Sequence, residues 1–323
     1  MTLNEFLAEW HNDNPRILVH TSGSTGKPKP LMVEKQRMLN SARITCDFLG
    51  LKPGDTALLC MPLDYIAGKM MVVRSLQRDL RLTSVRPSSH PLADDALPSF
   101  TFAAMVPMQV YHTLQQPQEC ERLMRIRHLI IGGGAISDEL AQMIKPLPNA
   151  VWNTYGMTET LSHIALRRLN GPDATLWYTP FDGVGISLNA DGCLVIDAPE
   201  VCAEPLVTND IALIRTDERT GKTLFRIKGR KDNVVCSGGI KIQIEEVEEA
   251  LRPHLQAPFM IVKKQDEVLG ERAVLLTESA DLPLIEEICR NALPKYWVPR
   301  QFLHIDRLPL TETGKPKRSG IEV

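Results

Sequence analysis

The segment from His20 to Pro30, His-Thr-Ser-Gly-Ser-Thr-Gly-Lys-Pro-Lys-Pro, combines two glycines with four hydroxyl side chains and two lysines. Glycine lets a backbone turn tightly and approach a ligand, and amide, hydroxyl and ammonium groups donate hydrogen bonds to phosphate oxygens. We therefore expect a polyphosphate to bind at Thr21, Ser22, Gly23, Ser24, Thr25, Gly26 and Lys27. The segment is not a Walker A loop, because its glycine spacing is short and Pro28 follows the lysine. The alternative is a polar hairpin loop without a ligand.

Four later segments carry residues that suit the chemistry of a nucleotide and an acid. They are Asn153–Glu159, Val207–Asp210, Phe225–Ile242 and Leu308–Lys315. With the glycine-rich segment, and in this order, they resemble the motifs of the acyl-adenylate-forming enzymes, which include acyl-CoA synthetases, peptide-synthetase adenylation domains and luciferases. The resemblance runs from residue 20 to residue 318. It implies a large adenylate-forming domain followed by a small, mobile domain.

The resemblance implies a site for adenine. Tyr155 would lay its ring on the adenine, where flat aromatic contact is favourable. The side-chain carbonyl of Asn153 would accept a hydrogen bond from the adenine amine. Gly133 and Gly134 follow an apolar stretch and would let the purine lie close to the backbone, although a plain strand-to-helix turn is the alternative for this pair.

The remaining parts of ATP have their own expected partners, again implied by the resemblance. Asp210 would accept hydrogen bonds from the ribose hydroxyls, with Arg230 nearby. Thr158 would contact the α-phosphate, and Glu159 would hold Mg²⁺ through a hard oxygen ligand. One departure from the family pattern is Asn209, which stands where glycine is usual.

Lys315 is the strongest candidate for a catalytic residue. Attack of a carboxylate on the α-phosphate builds negative charge while pyrophosphate leaves, and an ammonium group stabilises that charge. In the enzymes that this chain resembles, the small domain then rotates, which withdraws the lysine and opens a tunnel for the thiol of coenzyme A. Asp232 matches the hinge of that rotation, and Gly238 and Gly239 would line the tunnel. A surface lysine in a terminal loop is the alternative for Lys315.

The segment Met61–Arg74 occupies the position that shapes the acyl pocket in the family, and it makes Tyr65 and Arg74 candidate substrate residues. Many members carry Phe-His where this chain has Asp64-Tyr65. Arg74 is placed like an arginine of the o-succinylbenzoate–CoA ligases of menaquinone biosynthesis. Its guanidinium could donate two hydrogen bonds to a second carboxylate of the acid. The alternative is a helix-surface arginine paired with a neighbour.

The resemblance therefore implies an AMP-forming acid–CoA ligase that uses ATP, Mg²⁺ and coenzyme A, with o-succinylbenzoate as the expected acid. Two other functions stay open: a ligase of the phenylacetate or benzoate type, and an adenylation module that loads a separate carrier protein. A nucleotide-binding pseudoenzyme is a third. Only about twenty residues precede the glycine-rich segment, fewer than is usual for the family, so we expect a compact ligase and hypothesise a homodimer.

The elements that must position these residues follow from hydrophobic periodicity. Short apolar stretches at Ile17–Val19, Ala57–Met61, Phe102–Met105 and Leu129–Ile131 predict strands. Helices are predicted between and after them at Lys35–Leu49, Tyr65–Leu76, Gln109–Leu114 and Asp138–Ile144. This alternation predicts a largely parallel sheet covered by helices.

The second half of the chain has a different pattern. Short strands and turns over Gly183–Ile227 predict an antiparallel section. A small α+β unit follows, with helices at Gln243–Leu251 and Leu284–Leu293 and strands at Phe259–Val262 and Ala273–Leu276. The predicted fold class is α/β plus α+β, with an adenylation domain over residues 1–231 and a lid domain over residues 232–323.

Composition excludes several other classes of function. The 323 residues contain 37 Lys and Arg against 39 Asp and Glu, so the chain lacks the basic surplus of a general nucleic-acid or anionic-membrane binder. No apolar stretch approaches the roughly 18 residues of a membrane span, and the N-terminus does not resemble a signal peptide. Seven scattered cysteines fit neither a disulfide framework nor a zinc site. We therefore expect a cytoplasmic enzyme.

Overall fold

The computed structural model describes residues 1–20, 30–218, 220–309 and 317–318, which form two compact units. The first unit comprises the described residues of Met1–Ile186, Ile196–Leu206 and Arg215–Phe225. The second unit comprises those of Ser187–Val195, Val207–Ile214 and Arg226–Val323. The domain boundary between residues 231 and 232 stays a prediction.

Helices occur throughout the described chain, and two of them, Leu3–His11 and Pro117–Met124, were not indicated by the periodicity. They are α1 (Leu3–His11), α2 (Lys35–Leu49), α3 (Ile66–Arg78), α4 (Pro107–Leu114), α5 (Pro117–Met124), α6 (Asp138–Ile144), α7 (Ile244–Leu251) and α8 (Leu282–Ala292). A short 3-10 turn spans Lys231–Asn233.

The strands of the first 180 residues are β1 (Arg16–His20), β2 (Pro30–Glu34), β3 (Thr56–Leu59), β4 (Arg81–Ser84), β5 (Phe102–Met105), β6 (His128–Ile131), β7 (Ala150–Gly156), β8 (His163–Arg168) and β9 (Thr179–Pro180). Those that follow are β10 (Gly185–Leu188), β11 (Cys193–Asp197), β12 (Leu206–Thr216), β13 (Thr223–Arg230), β14 (Val234–Ser237), β15 (Ile240–Gln243), β16 (Phe259–Asp266), β17 (Gly270–Thr277) and β18 (Gln301–His304).

A seven-stranded sheet in the order β4-β3-β5-β6-β7-β8-β9 organises the first unit. The strands from β4 to β7 are parallel, which confirms the predicted parallel sheet, and β8 and β9 add antiparallel partners. The carboxyl ends of parallel strands meet at one edge, where α/β proteins usually bind ligands. That edge carries the segments after β3, β5, β6 and β7, which include the predicted acyl and adenine segments.

Helix α2 begins and ends at the residues that the sequence predicts. Met38, Ala42 and Cys46 repeat at helical spacing and are buried. The helix ends at Gly50, whose φ of +64° is the left-handed conformation that glycine adopts without steric cost. The predicted bounds, Lys35–Leu49, are those of the structure, because periodicity and cap are both local properties.

The glycine-rich segment joins two paired strands. Strands β1 and β2 are antiparallel, with Arg16 opposite Glu34 at one end and His20 opposite Pro30 at the other. The last pair holds the two ends of the segment together, although residues 21–29 themselves lie outside the described chain. The predicted polyphosphate contacts there stay predictions.

The antiparallel section predicted for Gly183–Ile227 is a four-stranded sheet in the order β10-β11-β12-β13. Its residues are divided between the two units. The second unit also contains a five-stranded sheet in which β17 pairs with β14, β16 and β18. Helices α7 and α8 cover it through an apolar core that includes Val247, Ile261 and Ile285. This arrangement confirms the predicted α+β unit.

The described part of the chain contains neither a membrane-spanning helix nor a disulfide. None of its helices has the length and apolarity that crossing a bilayer would require. All seven cysteines are free thiols, and only Cys236 is exposed.

Candidate active site

The start of α3 carries the predicted acyl segment. Gly68 lies so close to the preceding turn that a Cβ there would stand 2.2 Å from the carbonyl oxygen of Pro62. Only glycine therefore allows the first turn of the helix to pack against that backbone. Tyr65 precedes the helix as its N-cap residue, and 45% of its surface is exposed. Its predicted contact with the acid stays a prediction.

Arg74 is a fully buried charge whose contacts within the described chain include no carboxylate. Its Nη2 donates to Ser162 Oγ at 2.5 Å, its Nη1 lies 3.8 Å from Met71 Sδ, and its Nε has no partner among the described residues. Burial lowers the pKa of Arg74 to about 10. Buried charges are normally paired, because removing one ion from water costs on the order of several kcal/mol. Because Arg74 is buried, the alternative of a helix-surface arginine paired with a neighbour is wrong.

A tight turn after β7 places the hydroxyl of Ser162 next to the guanidinium of Arg74. Leu161 adopts a left-handed conformation with φ +64°, which is unusual for a residue with a Cβ. Buried Thr160 holds the turn, because its Oγ1 accepts from the amide of Met157 at 3.0 Å and lies 2.7 Å from the carbonyl of Ser162. A Cβ at Gly156 would stand 2.3 Å from that same carbonyl, so β7 and β8 can meet only at a glycine.

Asn153 is already bonded within the protein. Its Oδ1 accepts from Arg167 Nε at 3.2 Å and from the hydroxyl of Tyr178, while its Nδ2 donates to the carbonyl of Ile131 at 3.2 Å. A carbonyl oxygen has two acceptor sites, and both have donors here. The predicted bond from the adenine amine to Asn153 would therefore require one of these donors to leave.

Tyr155 belongs to an aromatic cluster in the first unit. Its ring centroid lies 5.0 Å from that of Phe225 and 5.7 Å from that of Tyr178. The rings of Tyr178 and Phe225 stack at 5.3 Å, and Arg167 lies over Tyr178. Apolar and aromatic surface of this kind suits contact with a purine, and the role of Tyr155 towards adenine stays a prediction.

The glycines after β6 leave room for a neighbouring side chain and allow a left-handed turn. A Cβ at Gly132 would meet Thr154 Oγ1 at 2.3 Å, and Gly133 has φ +79°. The helix that follows, α6, is capped by Ser137, whose Oγ accepts from the amide of Leu140. The segment is thus a strand-to-helix turn that requires glycine, and whether Gly133 and Gly134 also contact a purine stays a prediction.

Thr158 and Glu159 lie in the turn between β7 and β8. Thr158 is buried, whereas Glu159 is exposed and its carboxylate has no partner among the described residues. No group of three or more His, Cys, Asp or Glu side chains in the described chain is arranged to hold a metal ion. A single accessible carboxylate is nevertheless a donor set that suits Mg²⁺, which usually takes one or two carboxylates together with phosphate oxygens and waters.

The second unit brings together the predicted ribose and hinge residues. Arg230 Nη1 lies 3.3 Å from Asp210 Oδ1, and its Nη2 lies 3.3 Å from Asp232 Oδ2. Asn209 Nδ2 donates to the same oxygen of Asp232 at 3.4 Å. The asparagine that replaces the usual glycine thus bonds the residue that matches the hinge. The structure places Arg230 beside Asp210 as expected, and the roles of Asp210, Arg230 and Asp232 stay predictions.

Gly238 and Gly239 form the two-residue turn of the β14–β15 hairpin. Both have positive φ, +56° and +84°, and the flanking residues Ser237 and Ile240 are paired. Such a turn needs left-handed residues at both positions, which explains the glycines without a ligand. Their predicted contact with a thiol tunnel is untested by this geometry.

Lys315 lies outside the described residues, but both flanks of its segment are fixed to the second unit. The amide of Lys317 donates to the carbonyl of Pro309 at 2.9 Å, which holds the two ends together. Arg318 donates to buried Glu248 at 2.6 Å and to the carbonyl of Ile261 at 3.1 Å. On the other flank, the amide of Leu308 donates to Glu278.

Sequence reasoning missed the partners of the candidate residues. Ser162 and His163 lie three and four residues after the Asn153–Glu159 motif, and their hydroxyl and imidazole were the available signal. Lys69 was also missed. It is 4% exposed, donates to the carbonyl of Leu18 at 2.7 Å, and so ties α3 to the strand that enters the glycine-rich segment.

Comparison with known proteins identifies relatives over almost the whole chain. The family model described as AMP-binding enzyme matches residues 4–203. The 2-succinylbenzoate–CoA ligase of Salmonella typhimurium is 28% identical, over 98% of this chain and 69% of that protein. An acyl-CoA synthetase (AMP-forming)/AMP-acid ligase II-like protein from Dyadobacter fermentans has a crystal structure with 33% identity and a TM-score of 0.68. That match covers 97% of this chain and 91% of the other.

A third relative shares the fold at lower identity. The o-succinylbenzoate coenzyme A synthetase from Bacillus subtilis, solved in complex with ATP and magnesium ion, is 23% identical with a TM-score of 0.73. The match covers 94% of this chain and 69% of that one. The fold class predicted from the sequence is therefore confirmed.

Proposed function

We propose that this chain, which belongs to the AMP-binding enzyme family, is an ATP-dependent ligase that activates a carboxylic acid as an acyl adenylate and transfers the acyl group to coenzyme A. The relatives named as CoA ligases and synthetases, matched over nearly the whole chain, support this reaction. We further propose o-succinylbenzoate as the acid.

The observation that carries the choice of acid is the environment of Arg74. A fully buried guanidinium without a carboxylate partner in the described chain, and with an unpartnered Nε, is poised for an anionic ligand. An acid that reacts through one carboxylate and keeps a second would supply that anion. A hydrogen bond between charged groups contributes about 1.5–3 kcal/mol, enough for roughly a 10- to 150-fold preference for the diacid.

The other residues divide the remaining tasks. In the proposal Asp210 and Arg230 hold the ribose, Tyr155 lies against the adenine, and Thr158 contacts the α-phosphate. Glu159 would hold Mg²⁺, which supplies positive charge to the phosphate oxygens when bound. Lys315 would neutralise the charge that develops as the acid carboxylate attacks the α-phosphate and pyrophosphate leaves.

Partners and location follow from the same proposal. The expected partners are small molecules, and a cytoplasmic location is part of this proposal. A homodimer is a hypothesis, and light scattering at micromolar protein tests it. Monomers alone would count against it.

The function is tested by ATP–pyrophosphate exchange with Mg²⁺ and without coenzyme A. The acids are o-succinylbenzoate, its analogue 4-oxo-4-phenylbutanoate that lacks the aryl carboxylate, benzoate, phenylacetate and a medium-chain fatty acid. We expect exchange with o-succinylbenzoate, with a KM about 10-fold or more below that for the analogue. In Arg74→Met this preference should disappear.

The outcomes separate the alternatives. Exchange with benzoate or phenylacetate instead would retain the chemistry and reject the proposed acid. Exchange followed by transfer to a carrier protein, but not to coenzyme A, would identify a loading module. Binding of ATP without exchange with any acid would favour a pseudoenzyme.

A further inference from the structure

Four side chains from three elements form one continuous line of hydrogen bonds in the first unit. Thr45 on α2 lies 3.2 Å from His163 Nε2, His163 Nδ1 lies 3.2 Å from Ser162 Oγ, and Ser162 Oγ lies 2.5 Å from Arg74 Nη2. All but Ser162 are buried. His163 is further enclosed by Phe181, whose ring centroid is 5.5 Å from that of the imidazole.

The direction of every bond in this line follows from its two ends. Thr45 Oγ1 is 3.1 Å from the carbonyl of Ser41, which can only accept, so Thr45 donates its one proton there. Thr45 must therefore accept from His163, and the proton of the neutral imidazole is on Nε2. Nδ1 is then a bare acceptor, and it receives the proton of Ser162.

The other end of the line agrees with this direction. Arginine has donors and no acceptor, so Arg74 requires an acceptor from Ser162. Because the proton of Ser162 is committed to His163 Nδ1, its oxygen lone pair is free to accept from Nη2. The line thus runs from Arg74 through Ser162, His163 and Thr45 to the carbonyl of Ser41.

We propose that His163 is a positioning residue for recognition of the acid. His163 fixes the hydroxyl of Ser162 as an acceptor for Arg74. This contact holds Arg74 with its Nε–H available to the second carboxylate of the acid. The inference rests on the proposed function. Without an acceptor at Nδ1, the hydroxyl of Ser162 can turn its proton towards Arg74, and the guanidinium loses the contact that fixes its orientation. The relevant specificity is that between a diacid and the matched monoacid.

Two substitutions and one control test the proposal. His163→Leu removes the acceptor, and His163→Asn restores one because the asparagine Oδ1 lies near the position of Nδ1. The control is His128→Leu, since His128 is in the same unit and neither of its ring nitrogens has a partner in the part of the chain that the structure describes. KM and kcat for o-succinylbenzoate and for 4-oxo-4-phenylbutanoate are measured by pyrophosphate exchange, together with thermal unfolding.

We expect His163→Leu to raise the KM for the diacid about 10-fold, with little change in the KM for the monoacid. His163→Asn should recover most of the difference, and His128→Leu should show none of it. Equal changes for both acids, or no recovery by asparagine, would overturn the inference while the proposed function stands. Absence of exchange with any acid in the unchanged chain would instead remove the proposed function, and this inference with it.

The protonation pattern gives a second readout that does not depend on activity. Nitrogen NMR of the folded chain should show His163 with a protonated Nε2 and an unprotonated Nδ1. A ring protonated on Nδ1 would overturn the inference, because Ser162 would then receive a proton where the proposal requires it to donate one.

Discussion

At the scale of single residues, the candidate site depends on how buried polar groups are satisfied. Arg74 obtains one strong acceptor from Ser162, and Asn153 has its carbonyl bonded by Arg167 and Tyr178. In each case the sequence singles out the side chain that is held, but it does not single out the partner that holds it. The orientation of the site is therefore decided by these partners.

The buried imidazole of His163 gives the first prediction at this scale. Burial, and next the charge of Arg74 on α3, lower the pKa of His163 well below its usual value. Above about pH 6.5, the ordinary histidine pKa, the ring is neutral in both states and does not affect stability. Below that pH the unfolded chain takes up the proton first, so stability falls as the pH falls.

We expect this single group to cost about 1.4 kcal/mol at pH 5.5. The measurement is the free energy of urea unfolding of the chain and of His163→Gln at pH 7.5 and pH 5.5. The free energy of unfolding of His163→Gln should fall by about that much less between pH 7.5 and pH 5.5. Burial also lowers the pKa of His128, so His128 adds a loss of stability at low pH that is the same in both proteins. The same acid loss in the two proteins would contradict the assignment.

At the scale of elements, close backbone approaches set where the helices and strands can meet. The first turn of α3 packs on the carbonyl of Pro62 through Gly68, and β7 meets the start of β8 through Gly156. Both approaches border segments that the sequence assigns to substrate. Packing at the site therefore depends on the absence of a side chain at two positions.

Gly68→Ala separates helix propensity from packing. Alanine in place of glycine stabilises a helix by about 1 kcal/mol, but here the Cβ would stand 2.2 Å from a backbone oxygen. Overpacking costs typically about 1–3 kcal/mol, and backbone cannot move aside as a side-chain end can. We expect a net loss of stability in urea unfolding.

Gly185→Ala, in strand β10, controls for the added methyl group alone, because a Cβ there would lie 3.5 Å from the Cβ of Asp197, an ordinary contact. It should be neutral or stabilising. Stabilisation by Gly68→Ala would show that the turn before α3 can shift, and that the close approach does not constrain the acyl segment.

At the scale of the whole molecule, the candidate residues are divided between the two units. Arg74, Tyr155 and Glu159 belong to the first unit, whereas Asp210, Arg230 and Asp232 belong to the second. The segment that contains Lys315 is anchored in the second unit through Arg318 and Glu248. An enzyme with two half-reactions can use such a division, since one domain can present different groups in turn.

Lys315→Ala is expected to separate the two half-reactions. Adenylate formation should be lost, because the positive charge opposite the leaving pyrophosphate is absent. Thioester formation from supplied acyl adenylate and coenzyme A should remain close to that of the unchanged chain. Lys317→Ala, two residues away and exposed, is the control and should retain both activities. Equal loss of both half-reactions in Lys315→Ala would reject the catalytic assignment.

The sequence by itself determined the features that depend on neighbouring residues. Helix α2 was predicted to its exact bounds, since its apolar period and its glycine cap lie within sixteen consecutive positions. The parallel sheet followed from alternating short apolar stretches and helical periods. The family followed from motifs of a few residues each, whose order alone carried the resemblance.

Only the tertiary structure decided the contacts that orient the site. Arg74 and Ser162 are 88 residues apart, and Thr45 and His163 are 118 apart, so no local pattern links them. Burial likewise depends on what packs from elsewhere, which is why a surface arginine was a reasonable alternative for a guanidinium that is fully enclosed. Hydrogen-bond direction is a property of the assembled network, because each donor is fixed only when its neighbour's proton is already committed.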